Sequence, residues 1–442
     1  MKFPAIERDP AILALHSTDR SGYIPPSLPD GVVRARSIDD VVSTLKYASS
    51  HRLPVVTRGA GSGLAGGSSA SAGEIVLDVS AMNQILSLDP VEHSAVVEPG
   101  VMNSAVSDAA KPHGLFYAPD PASMTYCSIG GNIATNAGGM RCAKYGVTRE
   151  SVLGLTVVLA DGSIVKTGGS TIKRVSGYDL TALMIGSEGT LGVVVEATLR
   201  LRPLSRKLAT LEAYFSDIVE AAACASALVS SGVQPTILEL MDGKTLDAID
   251  EATGTDHGVR GRALLLVQTD GLGAGLEMEV LSGVTAAFTT EFRLTTDHDE
   301  SEQLVQARRE AIPSIQTRGH AYVGDVGVPR KHLAEMAQQI VNIGEEIGID
   351  IYTIAHAGDG NLHPILLIPP GQSIHQGPPK KALEDIFWAA NALGGTLTGE
   401  HGVGLLKREW LVPELGEASL RLQHSIKRVF DPLGILNPGK AI

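Results

Sequence analysis

Residues 57–70 read TRGAGSGLAGGSSA and place Gly61, Gly63 and Gly66 at the spacing G-x-G-x-x-G. No other short stretch constrains the fold as much, because between a strand and a helix this spacing marks a dinucleotide site of the βαβ kind. The preceding LPVVTRG (53–59) reads as a short strand. The following GSSASAGEIVLDVS does not read as a helix: Gly and Ser dominate, and then an extended run begins. The carboxylate such a unit needs about twenty residues on falls to Asp89, inside the turn-like LDPVEH. Context therefore excludes a nicotinamide-binding βαβ unit. What remains is a loop whose backbone N–H groups are able to cradle a pyrophosphate, since glycine permits close approach and positive φ. Taken alone, the stretch is read equally well as an ordinary surface loop.

The rest of the amino-terminal half alternates short strands with few helices. PDGVVRARSIDDVVSTLKYASSHRLPVVTRG reads strand, helix 38–51, strand, with Val41, Val42, Leu45 and Ala48 as the apolar stripe. EIVLDVS (74–80) and SAVVEPG (94–100) are further strands, and NSAVSDAAKPHG is a short helix stopped by Pro112 and Gly114. VLGLTVVLADGSIVKTG is a hairpin turning on Asp161-Gly162, and 189–204 reads as one long strand ending at Pro203. Composition shifts near residue 205. Beyond it, 204–232 reads strand then Ala-rich helix, RALLLVQTDG and AYVGDVGVP are strands, 329–348 is a helix, and EASLRLQHSIKRVFD is a last helix. Strands and helices mixed with antiparallel turns imply a second α+β domain built over an inner sheet.

With 442 residues the chain is long enough for more than one domain. Hydrophobic content of 43% against 19% charged residues excludes disorder. A net charge of −13 argues against a nucleic-acid surface and against docking on anionic lipid. Cys127, Cys142 and Cys224 are odd in number and lack C-x-x-C spacing, as expected of reduced thiols. MKFPAIERDP places charge where a signal peptide would be apolar, and no uncharged run approaches a membrane span. The expected location is cytoplasmic, with peripheral membrane association left open.

Chemistry-bearing residues gather in a few places. APDPASMTYCSIGGNIATNAGG (118–139) and GYDLTALMIGSEGTLG (177–192) interleave glycines with small hydrogen-bonding side chains. Several such segments in one domain favour an extended cofactor over independent turns. YTIAHAGDGNLHPILLI (352–368) reads as a hairpin with His356 and His363 across its mouth. Two converging histidines and a carboxylate, for which Glu400 of TGEHGVG is the obvious candidate, make a metal set with open positions. Two capping histidines on a turn describe the hairpin equally well. On a regular backbone His401 points away from Glu400. In QARREAIPS (306–314), Arg309 offers a bidentate grip on a carboxylate, while Arg308 reads as a solvated helix arginine. Tyr178 and Trp388 read as packing residues.

RGAGSGLAGG, PDPAS…SIGGNIATNAGGMRCAKYG and YDLTALMIGSEGTLGVVVEATLRLRP resemble the FAD-binding half of the flavoproteins related to vanillyl-alcohol oxidase and p-cresol methylhydroxylase. HAGDGNLHP, TGEHGVG and FDPLGILNPGK resemble their FAD-linked oxidase C-terminal half. The likeness runs in order over roughly residues 30 to 442 and is greatest to D-lactate dehydrogenases and the catalytic subunit of glycolate oxidase. It implies an α+β, two-domain fold: a PCMH-type FAD-binding domain over 1–205 and an FAD-linked oxidase C-terminal (cap) domain over 206–394, with 395–442 packing back on the first. It implies that Arg58, Gly59, Ala60, Gly61, Ser62, Gly63 and Leu64 surround the pyrophosphate of FAD. Pro119, Asp120, Ser123, Gly130, Gly131, Asn132, Thr135, Asn136 and Gly138 would line the isoalloxazine and ribityl chain. Glu188, Gly189, Gly192 and Val194 would meet the adenosine end, with Asn437 also at the cofactor. No histidine occurs between 52 and 92, so the FAD is expected to be noncovalent at this loop.

The resemblance also implies that His356, His363 and Glu400 bind zinc, though the same donors suit manganese or iron. By the same likeness His401 is the catalytic base and Arg309 holds the substrate carboxylate. Val323 stands where 2-hydroxyglutarate dehydrogenases tend to carry lysine, which favours short monocarboxylates, and Arg330 is a weaker anion partner. The expected activity is oxidation of a short 2-hydroxy acid, of the D-lactate or glycolate type, with hydride passing to flavin N5 and on to a quinone, an electron-transfer protein or O₂. A homodimer or partner subunits are compatible with this reading. Alternatives are a metal-dependent hydrolase using His356, His363 and Glu400, and a non-catalytic flavin-bearing assembly subunit.

Overall fold

Ser37 sets the first long helix. Its Oγ accepts from Asp40 N at 3.2 Å, and Asp39 and Asp40 occupy the first turn, where the helix dipole favours negative charge. Helix Ile38–His51 then closes at Arg52, whose backbone is left-handed, and it buries Val41, Val42, Leu45 and Ala48. The computed structural model describes residues 5–442; residues 1–4, where the signal-peptide reading begins, lie outside the described residues. The chain divides into two units. One gathers the described residues up to Gly138 with Gly146–Leu204 and Glu400–Ile442; the other holds Gly139–Tyr145 and Ser205–Gly399.

The first unit has two main sheets. Ile6–Glu7, Gly31–Arg34, Ile75–Asp78 and Val55–Arg58 lie side by side in that order, the last three parallel. Helix Ile38–His51 makes the crossover that parallel pairing requires. The other sheet is antiparallel, in the order Ile85–Asp89, Ser94–Val97, Val193–Arg200, Val152–Val158, Ile164–Gly168. The 189–204 run is not one strand: Val193–Arg200 and Arg202–Pro203 are separate. The last of these pairs with Leu115–Phe116. The run's opening residues are spent in a turn where Glu188 and Gly189 have φ of 50° and 72°. The last helix begins earlier than the sequence implies, at Leu411, and is broken at Gly416. Beyond it the chain returns to the parallel sheet: Val55 N donates to Ile435 O and Asn437 N to Val55 O.

The second unit is one large antiparallel sheet. Its order is Phe292–Thr295, Leu208–Phe215, Ala263–Asp270, Ile237–Asp242, Ile351–His356, Asn361–Leu367, Ala321–Val323, with Val326–Gly327 also on Asn361–Leu367. Helices Ile218–Ser230 and Leu333–Ile347 match apolar-periodic stretches, the second starting after a short 3₁₀ turn, Arg330–His332. Gly139–Tyr145 belongs to this unit without any warning in the sequence. Met140 packs with Ile237, Leu266, Leu304 and Val305, and Lys144 and Tyr145 both bond the Asp270 carboxylate at 2.6 Å. Tyr178, 95% exposed, and Trp388, 49% exposed, are surface residues rather than packing residues. Tyr178 lies in an irregular segment, and Trp388 lies off the buried stripe of helix Gly377–Ala392.

Candidate active site

The glycine loop after Val55–Arg58 is shaped by close approach. Gly61 and Gly66 have φ of 67° and 81°, and a Cβ on Gly61 would stand 2.1 Å from the Arg58 guanidinium. Arg58 Nη1 donates to Thr18 O at 2.7 Å, and burial draws its pKa down against the pull of Asp19 and Asp78. Ser62, Gly63 and Leu64 complete a half-buried loop. Ser128, which the sequence reading passed over, joins this loop to the second glycine segment. Its Oγ accepts from Ala60 N at 3.2 Å and from Gly131 N at 3.4 Å. A Cβ on Gly59 would meet that Oγ at 2.4 Å, and one on Gly130 would meet Pro99 at 2.7 Å.

Most polar side chains expected at the cofactor hold the loops to one another. Asn103 Nδ2 donates to Asn132 Oδ1 at 3.0 Å and to Pro119 O at 3.2 Å. Thr135 Oγ1 donates to Gly131 O, and Asn136 Oδ1 accepts from Arg149 N. Asp120 is buried, and Ser123 O accepts from Cys127 N. Gly138 ends its segment of the first unit. The buried Glu188 carboxylate accepts from Val403 N and Gly404 N, both at 2.8 Å, while burial raises its pKa. Asn437 Nδ2 donates to Gly67 O and Glu188 O, stapling two loops. Gly192 and Val194 sit where the chain enters Val193–Arg200, and a Cβ on Gly192 would press on Val157. The backbone is what these loops leave for a ligand. Thr57 Oγ1, Ser68 Oγ and Ser69 Oγ are buried beside them with no hydrogen-bond partner. Buried donors of this kind need a partner, and an anionic pyrophosphate fits them.

His356 and His363 end up on one face of their hairpin because the register pairs His356 with Asn361 and Ile354 with His363. Their rings meet edge-on, centroids 5.0 Å apart. His363 Nδ1 bonds Gly324 O at 3.1 Å, and His356 Nδ1 bonds Glu239 Oε1 at 2.7 Å. A carbonyl only accepts, so His363 Nδ1 donates, and in the neutral ring the lone pair then lies on Nε2. Ligand atoms of His356, His363 and Glu400 lie within 4.8 Å of one another. This donor set fits a divalent ion. Asp325, buried in VGDVG, directs the chain towards Glu400 by accepting from Gly399 N at 2.7 Å and Thr398 Oγ1 at 3.0 Å. His401 does not diverge from its neighbour: Nε2 lies 3.8 Å from Glu400 Oε1, because residues 399–401 form a bend rather than regular backbone.

The two arginines differ sharply. Arg309, at the end of helix His298–Arg309, has a side chain 34% exposed whose nearest acidic partner is Glu302 at 3.8 Å. Arg308, read above as solvated, is instead buried, with Nε and Nη2 both 2.8 Å from Glu239 Oε2. The helix turns that side chain into the sheet, where Glu239 supplies the charge that burial requires. Glu239 had a signal, a carboxylate in the middle of the apolar run ILELM. Val323 is buried in its strand and Arg330 is exposed in a 3₁₀ turn.

A glycine cradle in one unit and a two-histidine hairpin in the other are the marks of a two-domain flavoprotein. Residues 29–168 match the FAD binding domain and residues 204–441 the C-terminal domain of FAD linked oxidases. The chain belongs to the FAD-linked oxidase family and is an FAD-dependent oxidoreductase with a PCMH-type fold. It is 40% identical over 418 residues to the glycolate oxidase subunit GlcD of Bacillus subtilis, covering 94% of this chain and 89% of that one. It is 36% identical to a D-lactate dehydrogenase of Archaeoglobus fulgidus, over 93% of this chain and 91% of that one. In fold it is similar to substrate-bound p-cresol methylhydroxylase, with a TM-score of 0.77 at 17% identity, covering 98% and 93% of the two chains. A 4-ethylphenol oxidase from Gulosibacter chungangensis gives 0.76 at 18%, covering 99% and 94%. No helix among the described residues is long and apolar enough to cross a membrane.

Proposed function

We propose that this protein oxidises a short 2-hydroxy acid of the D-lactate or glycolate type to the 2-oxo acid. The observation that carries the reading is the grouping of His356, His363 and Glu400 in a chain of this family. Its relatives named as a glycolate oxidase subunit and D-lactate dehydrogenases support the substrate class. FAD held noncovalently by the glycine cradle would supply a two-electron acceptor for the substrate's α-hydrogen. A divalent ion on His356, His363 and Glu400, zinc in the first instance, supplies Lewis acidity that lowers the pKa of the substrate hydroxyl.

The protein's own side chains do the rest. Arg309 binds the substrate carboxylate through its guanidinium, whose contact with Glu302 is long, at 3.8 Å, and leaves its donors exchangeable. His401 takes the hydroxyl proton at Nε2, at a working pH suited to imidazole. Val323, buried and apolar, offers no second cation for a distal carboxylate, in keeping with a monocarboxylate. Turnover would need an external electron acceptor.

The test is anaerobic mixing of the yellow holoenzyme with D- and L-lactate, glycolate and D-2-hydroxyglutarate. Bleaching of the flavin by D-lactate or glycolate is the expected result. Purified protein that takes up no FAD, or a flavin that none of the short acids reduces, overturns the reading.

A further inference from the structure

The Glu239 carboxylate divides its two oxygens between two partners. Oε2 takes two donors from Arg308, at 2.8 Å each, and Oε1 meets His356 Nδ1 at 2.7 Å. All three side chains are under a tenth exposed, and Glu239 is wholly buried. Its central strand, Ile237–Asp242, pairs with Ile351–His356 and sets Glu239 directly opposite His356. Arg308 arrives from helix His298–Arg309. Nothing in a hydrophobic sheet requires an ion pair here. Among the described residues, the hydrogen-bond partner that the Glu239–Arg308 pair has beyond itself is His356.

We propose that Glu239 and Arg308 are positioning residues that lock His356 in its Nδ1–H tautomer, so that Nε2 presents a lone pair to the metal. This rests on the reading of His356 as a ligand. A histidine ligand whose other nitrogen donates to a carboxylate is held in both tautomer and ring orientation. Arg308 adds a restriction that the carboxylate alone lacks. Its guanidinium donates only, so it claims Oε2 and leaves Oε1 as the atom facing His356. The same restriction makes Glu239→Gln informative. Arg308 would claim the single amide oxygen, turning the NH₂ towards His356. Nδ1 would then have to accept, and the proton would move to Nε2, the atom the metal needs. In Glu239→Gln/Arg308→Met nothing claims the oxygen, and it can turn back to accept from Nδ1.

The experiment follows histidine tautomers and metal affinity in the flavin-loaded protein. Long-range ¹⁵N–¹H correlation on ¹⁵N-histidine protein, with His356 assigned from His356→Gln, reads the tautomer without metal. Co²⁺ titration against a chromophoric chelator reads affinity. The expected outcome is Nδ1–H in the wild type and Nε2–H in Glu239→Gln, with Co²⁺ affinity down roughly 10–100-fold. FAD absorbance should be unaltered, and the double variant should recover the Nδ1–H signal and part of the affinity. A Glu239→Gln protein that keeps the Nδ1–H tautomer, or a double variant no better than the single one, overturns the proposal. A wild type that binds no Co²⁺ while its tautomers follow the expected pattern overturns the metal reading alone.

Discussion

Asp242 caps helix Gly243–Thr253 from a fully buried position, accepting from Thr245 N at 2.8 Å and Thr353 N at 3.0 Å. Burial outweighs these bonds and pushes its carboxyl up from the ordinary 3.8 to about 6. The folded state therefore holds this proton more tightly than the unfolded chain. The resulting stability is fully present below the unfolded value near 4 and is lost as pH rises through about 6. Asp242→Asn removes this dependence and leaves one backbone N–H facing an amide, a cost of about 1–3 kcal/mol. The Tm gap between wild type and variant, scanned from pH 4 to 7, should be widest at the acid end; a pH-independent gap would refute the assignment. At the proposed base, His401→Ala should load FAD normally yet slow flavin reduction by roughly 10²–10⁴-fold. Near-normal single-turnover reduction would remove His401 from that role.

The elements the sequence announced were those whose local chemistry repeats or punctuates. Helix 38–51 had its apolar stripe, and the hairpins had their turn residues. Side chains decided by a neighbour distant in sequence were not announced. Arg308 reads like Arg309 until strand Ile237–Asp242 supplies Glu239, and Ser128 reads as a turn serine until Ala60 donates to it. The segment 139–145 carried no periodicity, since its place is fixed by single contacts such as Lys144 to Asp270. The histidine hairpin was readable as a pair, because its turn and spacing are local. Gly360 is its most exacting residue: φ is 87°, and a Cβ would stand 2.2 Å from Val328 O. Gly360→Ala adds left-handed strain of about 1–2 kcal/mol to a backbone clash. Tm should fall and bound metal per chain should drop, while the flavin spectrum persists.

For the whole molecule, the family fold follows from long ordered motifs, whereas the sharing of residues between the two units does not. The proposed ligand set and the glycine cradle have no residue in common. Stripping metal with a chelator should therefore leave the flavin bands unchanged while reduction by the hydroxy acid is lost, and re-added Zn²⁺ should restore it. Loss of FAD together with the metal would contradict that independence. Asn437→Ala, by contrast, deletes two buried hydrogen bonds between cradle loops, worth about 1 kcal/mol each, and FAD content after purification should fall.

The return of the chain at Ile435–Asn437 to Val55 has a consequence for biosynthesis. The parallel sheet of the first unit lacks this partner until residues 435–437 have been made and have left the ribosome. Contacts this far apart in sequence close slowly. The unfinished amino-terminal half must then wait, with apolar edges uncovered, through translation of the entire second unit. Because Asn437 also bonds Gly67 O and Glu188 O in the glycine cradle, ribosome-bound chains arrested before residue 400 should bind FAD more weakly than released chains.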